Sequence, residues 1–551
     1  MRKALILTVA LLACAVVFPH YASACTNIIV GRKASADGSV ICSYNCDGWA
    51  YAGYLTSIPG GVHSPGEMCP VHQHNGTKVE LIPQVERTYS RIGYINEKQV
   101  SIVETTFGGR PELVNKDGIF GYRVHMDLAL QRSTTAREAI HVIDELTQTY
   151  GYNSSGEILT ICDKNEAWIM EIIGKGPGVK GSVWVALRVP DDCICAHANL
   201  SRIRQFPLND PENCLYAKDV ISFARQKGWY KGRDKDFSFR EAYSPITFSD
   251  VRYCDARVWS IFRHHTDPAE MDKYLPYLNG EFDKCDHLPL WIKPDRKLTV
   301  RDVQNDMRDH FEGTALDMTT DVSAGPWGMP VRPPKRTFTS QDGRKFFSER
   351  PIATQQSCYT MVCQMRNWLP DAVGGVMYYN CDDAAVVAYV PVYCCVTQVP
   401  EAFLHEHAKN WEFDEKGAYW MNNFVGNMAY PRWSAVYPDI QEAQKELEDY
   451  YEKDQNEVLA AVQGLHGQDV VDYLTGRTAL YTDMMMKRWD RLARYIIVRH
   501  NDMVRLQVDE NGELSHKRKY DKPGFNDSFY EEIVKSTGKR YEENTIQNID
   551  R

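Results

Sequence analysis

Ala22-Ser23-Ala24-Cys25-Thr26-Asn27-Ile28-Ile29-Val30-Gly31 runs from a small-residue signal straight into an apolar segment, and the reading of the fold turns on it. Thr26 to Gly31 is β-rich and reads as a strand. Ala34-Ser35-Ala36-Asp37-Gly38-Ser39 is turn chemistry built on an Asp-Gly pair, and Val40 to Tyr44 reads as the returning strand. Cys25 therefore opens a β-hairpin, with Asn45 and Asp47 where the second strand ends.

Upstream, Arg2 and Lys3 precede the apolar run Ala4 to Phe18, which Pro19 breaks. That run is shorter than the roughly 20 residues of a membrane span. Together with Ala22-x-Ala24 it reads as a secretory signal peptide over residues 1–24, exporting the protein to a periplasm or to the medium. Its removal leaves 527 of the 551 residues and shifts the formal net charge from -10 to -12. No other segment is apolar enough to span a bilayer. With 43% hydrophobic and 25% charged residues the chain has globular composition, which excludes a disordered chain, a collagen and a coiled coil. Its acidic balance argues against a nucleic-acid partner. Sixteen cysteines are too dilute for a small disulfide-stapled scaffold.

Three readings of Cys25 compete. It is a buried or disulfide-bonded cysteine near a terminus, an acylated lipoprotein cysteine, or an N-terminal nucleophile. Lipidation calls for a lipobox, and Ala22 stands where its leucine belongs. The third reading pairs a thiol with a free α-amine on one residue. An α-amine with an ordinary pKa of about 7.7–8.0 takes a thiol proton near neutral pH.

Beyond the hairpin, several ordered blocks carry a resemblance. Cys25-Thr26-x-Ile28-x-Val30-Gly31-x-Lys33-Ala34-Ser35-x-Asp37-Gly38-Ser39 is similar to the start of the cysteine dipeptidases related to dipeptidase A and the secernins. So are Val103 to Arg110, Gly151-Tyr152-x-Ser154-Ser155-Gly156-Glu157, Ala196-His197-Ala198-Asn199, Phe206-Pro207-Leu208, His310 to Thr314 and Gly374-Gly375-Val376. The resemblance spans residues 25–430. It implies an N-terminal nucleophile (Ntn) hydrolase: an α+β, four-layer αββα sandwich that hydrolyses dipeptides and short peptides without a cofactor.

That resemblance carries Cys25 over as nucleophile. More distant Ntn acylases show Arg-Asn-x-Asp at the end of the second strand; here it is Tyr44-Asn45-Cys46-Asp47. Asp47 matches the residue that holds the nucleophile's amine, while Tyr44 replaces the arginine. Asn199 matches the acylases' oxyanion donor, with a backbone N–H near Thr106 as the second. To read the two charged ends of a dipeptide, Glu104 would pair with the ammonium, and Arg110 or Arg202 with the carboxylate.

The pattern of the chain agrees with such a fold. Gln99 to Phe107 reads as a strand, and Thr135-Ala136-Arg137-Glu138 as a capping box opening a helix with Ile140, Ile143 and Leu146 on one face. Ile158 to Cys162 and Ala167 to Ile173 read as a hairpin, with further strands at Val183 to Val189 and Cys193 to Ala198 and a second strand-rich block over Cys358 to Tyr393. Pro326 to Pro334 reads as a rigid loop. Glu442 to Val462 and Thr482 to Arg499 read as helices of a C-terminal region, residues 431–551, which packs on the core or forms a dimer surface.

Metal chemistry finds little support: there is no HExxH and no CxxC pair, and His405-Glu406-His407 reads as surface. Cys193-x-Cys195 and Cys394-Cys395 read as buried thiols or structural disulfides, and no G-x-S-x-G elbow supports a serine triad. The expectation is an exported cysteine dipeptidase in which the Cys25 α-amine is the general base and a thioester forms. Its same-chemistry rival is an Ntn amidase of N-acyl amino acids, which would need an apolar acyl pocket. A rival of another class is an exported binding protein or lipoprotein without catalysis.

Overall fold

The computed structural model describes residues 24–72, 79–510, 512–514 and 519–542. Residues 1–23, nearly all of the leader expected from the sequence, lie outside them.

Ten strands of four or more residues build most of the two main sheets. They are β1 (Ala24–Val30), β2 (Val40–Asp47), β3 (Ser101–Gly108), β4 (Gly156–Cys162), β5 (Ala167–Gly174), β6 (Ser182–Arg188), β7 (Ile194–His197), β8 (Ser357–Met365), β9 (Gly375–Cys381) and β10 (Val390–Tyr393). Seven strands form one sheet in the order Trp291–Ile292, β7, β1, β2, β8, β9, β10. Eight form the other: Cys214–Tyr216, β6, β5, β4, β3, Ile95–Asn96, Arg91–Ile92, Ser57–Ile58. All their pairings are antiparallel. The protein is thus α+β with two large antiparallel sheets.

β1 shows why its residues form a doubly covered strand. Side chains alternate across a pleat. Cys25 and Ile29 join the core shared with Ile102, Leu159 and Ile169 of the eight-stranded sheet. Ile28 and Val30 join a second core with Val258, Trp259 and Phe262. Both faces are buried, so the sequence reads as a continuous apolar run rather than an alternation.

One local feature sets the register where β3 meets β4. Pairing shifts between Thr106 and Gly108. The Phe107 ring crosses Gly156 there, so that a Cβ on Gly156 would lie 2.0 Å from the ring. Glycine at 156 admits the bulge and places Glu157 opposite Thr106.

Five helices cover the sheets around the site and at the C-terminal end: α1 (Tyr122–Arg132), α2 (Ala136–Tyr150), α3 (Ala256–His264), α4 (Trp433–Val462) and α5 (Gln468–Arg499). α1 packs on β3, α2 on β4 and β6, α3 on β7, and α4 and α5 on β10. At α2, Thr135 accepts from the Glu138 N–H as a capping box requires. The Glu138 carboxylate, however, returns to the amide and hydroxyl of Thr134. α4 begins at Trp433 and α5 at Gln468, both earlier than their sequence patterns, because packing carries them through Pro438 and Gly476. Pro326 to Pro334 begins inside a short 3₁₀ turn, Val322–Trp327, and buried Arg332 ties it down by donating to the Met318 and Met329 carbonyls.

Candidate active site

The Cys25 thiol is buried where β1 faces β3. Its Sγ lies 3.6 Å from Tyr44 Oη and 3.7 Å from Glu104 Oε1, and the Tyr44 hydroxyl donates to the same Glu104 oxygen at 2.5 Å. Cys46 stands directly opposite Cys25 in the β1–β2 register. Burial pushes the Cys25 thiol well above its ordinary value, and the Cys46 thiol and the Glu104 and Asp47 carboxylates add to the effect. As held here the sulfur keeps its proton. A nucleophile at this position needs a base delivered to it.

The backbone of Cys25 is fixed on both sides. Its N–H, part of the Ala24–Cys25 peptide, donates to Asn199 Oδ1 at 3.0 Å, and Asn199 Nδ2 donates to the Thr106 carbonyl at 2.8 Å. Arg257 completes the cradle. Its Nη1 donates to the Cys25 carbonyl and to Thr26 Oγ1, each at 2.7 Å, and its Nη2 donates to Asn199 Oδ1 at 3.0 Å. This guanidinium is fully buried, and burial pushes it down to about 10, with Arg350 acting the same way. One wide π turn over Val251–Asp255 precedes α3. Such turns re-aim the side chains that come after them and recur at functional sites.

Asp47 ends β2 in the same layer. Its carboxylate accepts from Arg350 and from Ser357 Oγ, the latter at 2.7 Å. Burial lifts it to about 6 against the pull of Arg350, Ser357 and Arg257. The sequence resemblance set Asp47 at the Cys25 nitrogen; the atom found beside that nitrogen is Asn199 Oδ1. Thr106 is adjacent to Asn199 as expected, and the group it presents is its carbonyl.

Glu104 has a neighbour that sequence reading passed over. Glu157 lies diagonally across the β3–β4 pair on the same face. Burial raises both carboxyls, Glu104 to about 7, and Glu157 is pushed well above the usual range by burial and by the Glu104 charge. Two buried carboxyls so close hold a proton between them. Gly156-Glu157 carried the signal: a glutamate inside a strand whose other residues are buried and mostly apolar.

Tyr44, Cys46, Glu104 and Tyr122 form one part of the wall of a cavity of about 300 Å³. Tyr51, Tyr54, Tyr94 and Tyr359 make much of the remainder, with Arg91, Arg123 and Asp127 among them. The cavity is at the small end of the ~300–1,000 Å³ range of ligand sites.

Neither Arg110 nor Arg202 lines that cavity. Arg110 donates to the Ala242 carbonyl at 2.6 Å and lies over the Trp229 ring. Arg202 is buried, with Nη1 2.7 Å from Asp255 Oδ1 and Nη2 on the Pro289 carbonyl. The arginines at the cavity are instead Arg91 and Arg123, and the one at the Cys25 backbone is Arg257. Arg257 had a readable signature, an arginine inside the apolar run Ala256 to Phe262. The cysteines described, including Cys193, Cys195, Cys394 and Cys395, are all free thiols.

Residues 24–56 and 63–446 match Peptidase family C69. The chain is 26% identical over 474 residues to a probable dipeptidase of Latilactobacillus sakei, covering 83% of this chain and 91% of that protein. It is 26% identical over 391 residues to a probable dipeptidase of Salmonella dublin, covering 67% and 81%. It is 23% identical over 521 residues to dipeptidase A of Lactobacillus helveticus, covering 88% and 98%. The matched segments contain every residue of the Cys25 cradle and of the cavity wall, and the chain belongs to peptidase family C69.

Proposed function

We propose that this peptidase is an exported cysteine dipeptidase with an Ntn-type mechanism and a four-layer αββα core, residues 25–430, extended by the C-terminal helices. The observation that carries the reading is the setting of Cys25: a buried thiol beside Glu104, with its nitrogen on Asn199 Oδ1 at 3.0 Å. Removal of residues 1–24 would turn that nitrogen into an α-amine on the same residue as the thiol. The names of the relatives support dipeptides as substrates.

In this mechanism the α-amine takes the thiol proton and Sγ attacks the peptide carbonyl carbon. The sequence resemblance gives the oxyanion to Asn199 and a backbone N–H near Thr106, a contribution of roughly 3 kcal/mol per donor in other enzymes; Asn199 Nδ2 donates to the Thr106 carbonyl in the structure, so the oxyanion must take that hydrogen bond over as it forms. The C–N bond breaks as the protonated α-amine donates to the leaving amine, leaving a thioester. Water, deprotonated by the α-amine, hydrolyses it. Glu104 receives the substrate ammonium. An amidase of N-acyl amino acids would need an apolar acyl pocket, and the carboxyl and guanidinium groups in the cavity wall favour peptides.

The test is the chain from which residues 1–24 have been removed, confirmed by intact mass, assayed on a panel of dipeptides beside Cys25→Ala. Turnover by the first and none by the second is expected. Full turnover by Cys25→Ala overturns the reading.

A further inference from the structure

The cavity beside Cys25 is charged oppositely in two parts of its wall. Near the thiol the wall carries Glu104, backed by Glu157 on the same sheet face, and among the described residues no hydrogen-bond partner lies at Glu104 Oε2 or Glu157 Oε2, both buried. Elsewhere in the wall is Arg123, half-buried on α1 beside tyrosine hydroxyls. The nearby carboxylate, Asp127, is taken by Arg91, whose Nη2 lies 2.8 Å from Asp127 Oδ1. Arg91 is buried and further fixed on Thr56 Oγ1 and the Gly93 carbonyl. Arg123 forms no ion pair of its own among the described residues. Together Arg91, Asp127 and Arg123 leave one positive charge in the wall, and it is Arg123 that lacks a carboxylate.

A half-buried guanidinium is a fork built for a carboxylate. A dipeptide zwitterion carries its two opposite charges two residues apart, a span of at most about 7 Å. Resting on the dipeptidase function proposed for Cys25, we propose that Arg123 binds the free C-terminal carboxylate of the substrate while Glu104, with Glu157 behind it, binds its ammonium. The enzyme then selects substrates by both charged ends at once. Peptides whose C-terminus is an amide leave Arg123 without a counter-ion. Longer chains carry their carboxylate beyond its reach. Position 123 is therefore a specificity-determining residue, outside the bond-making chemistry at Sγ.

The experiment compares a good dipeptide with its C-terminal amide, on the processed wild-type enzyme and on Arg123→Gln and Arg123→Lys. Wild type should favour the free acid by about 10–100-fold in kcat/KM, the worth of one charge-assisted pair. Arg123→Gln should erase that preference, chiefly through a higher KM for the acid, and Arg123→Lys should restore part of it. The wild-type comparison needs no variant and stands even if a substitution perturbs α1. Equal use of acid and amide by wild type, or an undiminished preference in Arg123→Gln, overturns this proposal alone. Turnover of neither compound nor of any dipeptide overturns the dipeptidase reading, and this proposal with it.

Discussion

Arg257 donates to the carbonyl of Cys25 at 2.7 Å from a position 232 residues further along the chain. The same guanidinium reaches Thr26 and Asn199, so three acceptors around the thiol depend on one buried side chain. Its Nε is held by the Tyr253 carbonyl at 2.8 Å, which anchors the fork to the π turn.

Arg257→Met should therefore strip the buried Cys25 carbonyl and Thr26 hydroxyl of this donor, and the half-buried Asn199 Oδ1 of one of its donors. An unsatisfied buried group costs about 1–3 kcal/mol. A stability loss of about 3 kcal/mol or more is expected by urea unfolding. Arg257→Lys keeps a charge but loses the planar fork. It should keep more stability and still lose about 100-fold in kcat/KM, because small displacements at a reacting centre cost that much.

With Glu104 as the proposed ammonium partner, the pH dependence of substrate binding should follow its carboxyl, which burial lifts to about 7. Above that value the carboxylate is charged and can hold an ammonium; below it the group takes a proton and the attraction is lost. KM for dipeptides should rise as pH falls through about 7. In Glu104→Gln, KM should be high at every pH and this limb should vanish from the KM profile. A KM profile of wild-type shape in that variant would remove Glu104 from ammonium binding.

The proposed removal of residues 1–24 predicts a silent precursor. While Ala24 is attached, the Cys25 nitrogen is an amide and cannot accept a proton, and burial holds the thiol protonated. A chain purified with residues before Cys25 should turn over dipeptides at least about 100-fold more slowly than the processed form, the usual worth of a general base. Equal rates for the two forms would exclude the α-amine as base.

Arg202 is spent on Asp255 in a pair with both side chains almost fully buried. Breaking such a pair by removing one partner costs about 3–5 kcal/mol. Arg202→Met should lower the thermal midpoint sharply. The KM of the protein that remains folded should move far less than that of Arg123→Gln.

Much of the scaffold was legible because burial on both faces writes itself as apolar runs: β1, β4 and β5 each announce a strand. α1 was not legible. His125, Met126, Leu128, Ala129 and Leu130 are buried, so its apolar residues spread around the helix instead of forming one stripe, and Gly121 offers no side-chain cap. Arg123 sits on that helix and stayed hidden with it. Cys25 could be found because its position beside Ala22-Ser23-Ala24 is itself a local signal. Arg257 and Glu157 could not be assigned to it, since only tertiary folding brings α3 and β4 to β1.

The contact between Cys25 N and Asn199 Oδ1 exists while Ala24 is still attached. A carbonyl oxygen accepts from an amide hydrogen and, more strongly, from an ammonium. The proposed excision of the leader would thus find the acceptor for that nitrogen already in place and would change the chemistry of one atom. If the leader is removed as proposed, folding and ignition become separable events: the architecture would be complete while the chain is inert, and one proteolytic cut would decide when and where it begins to work.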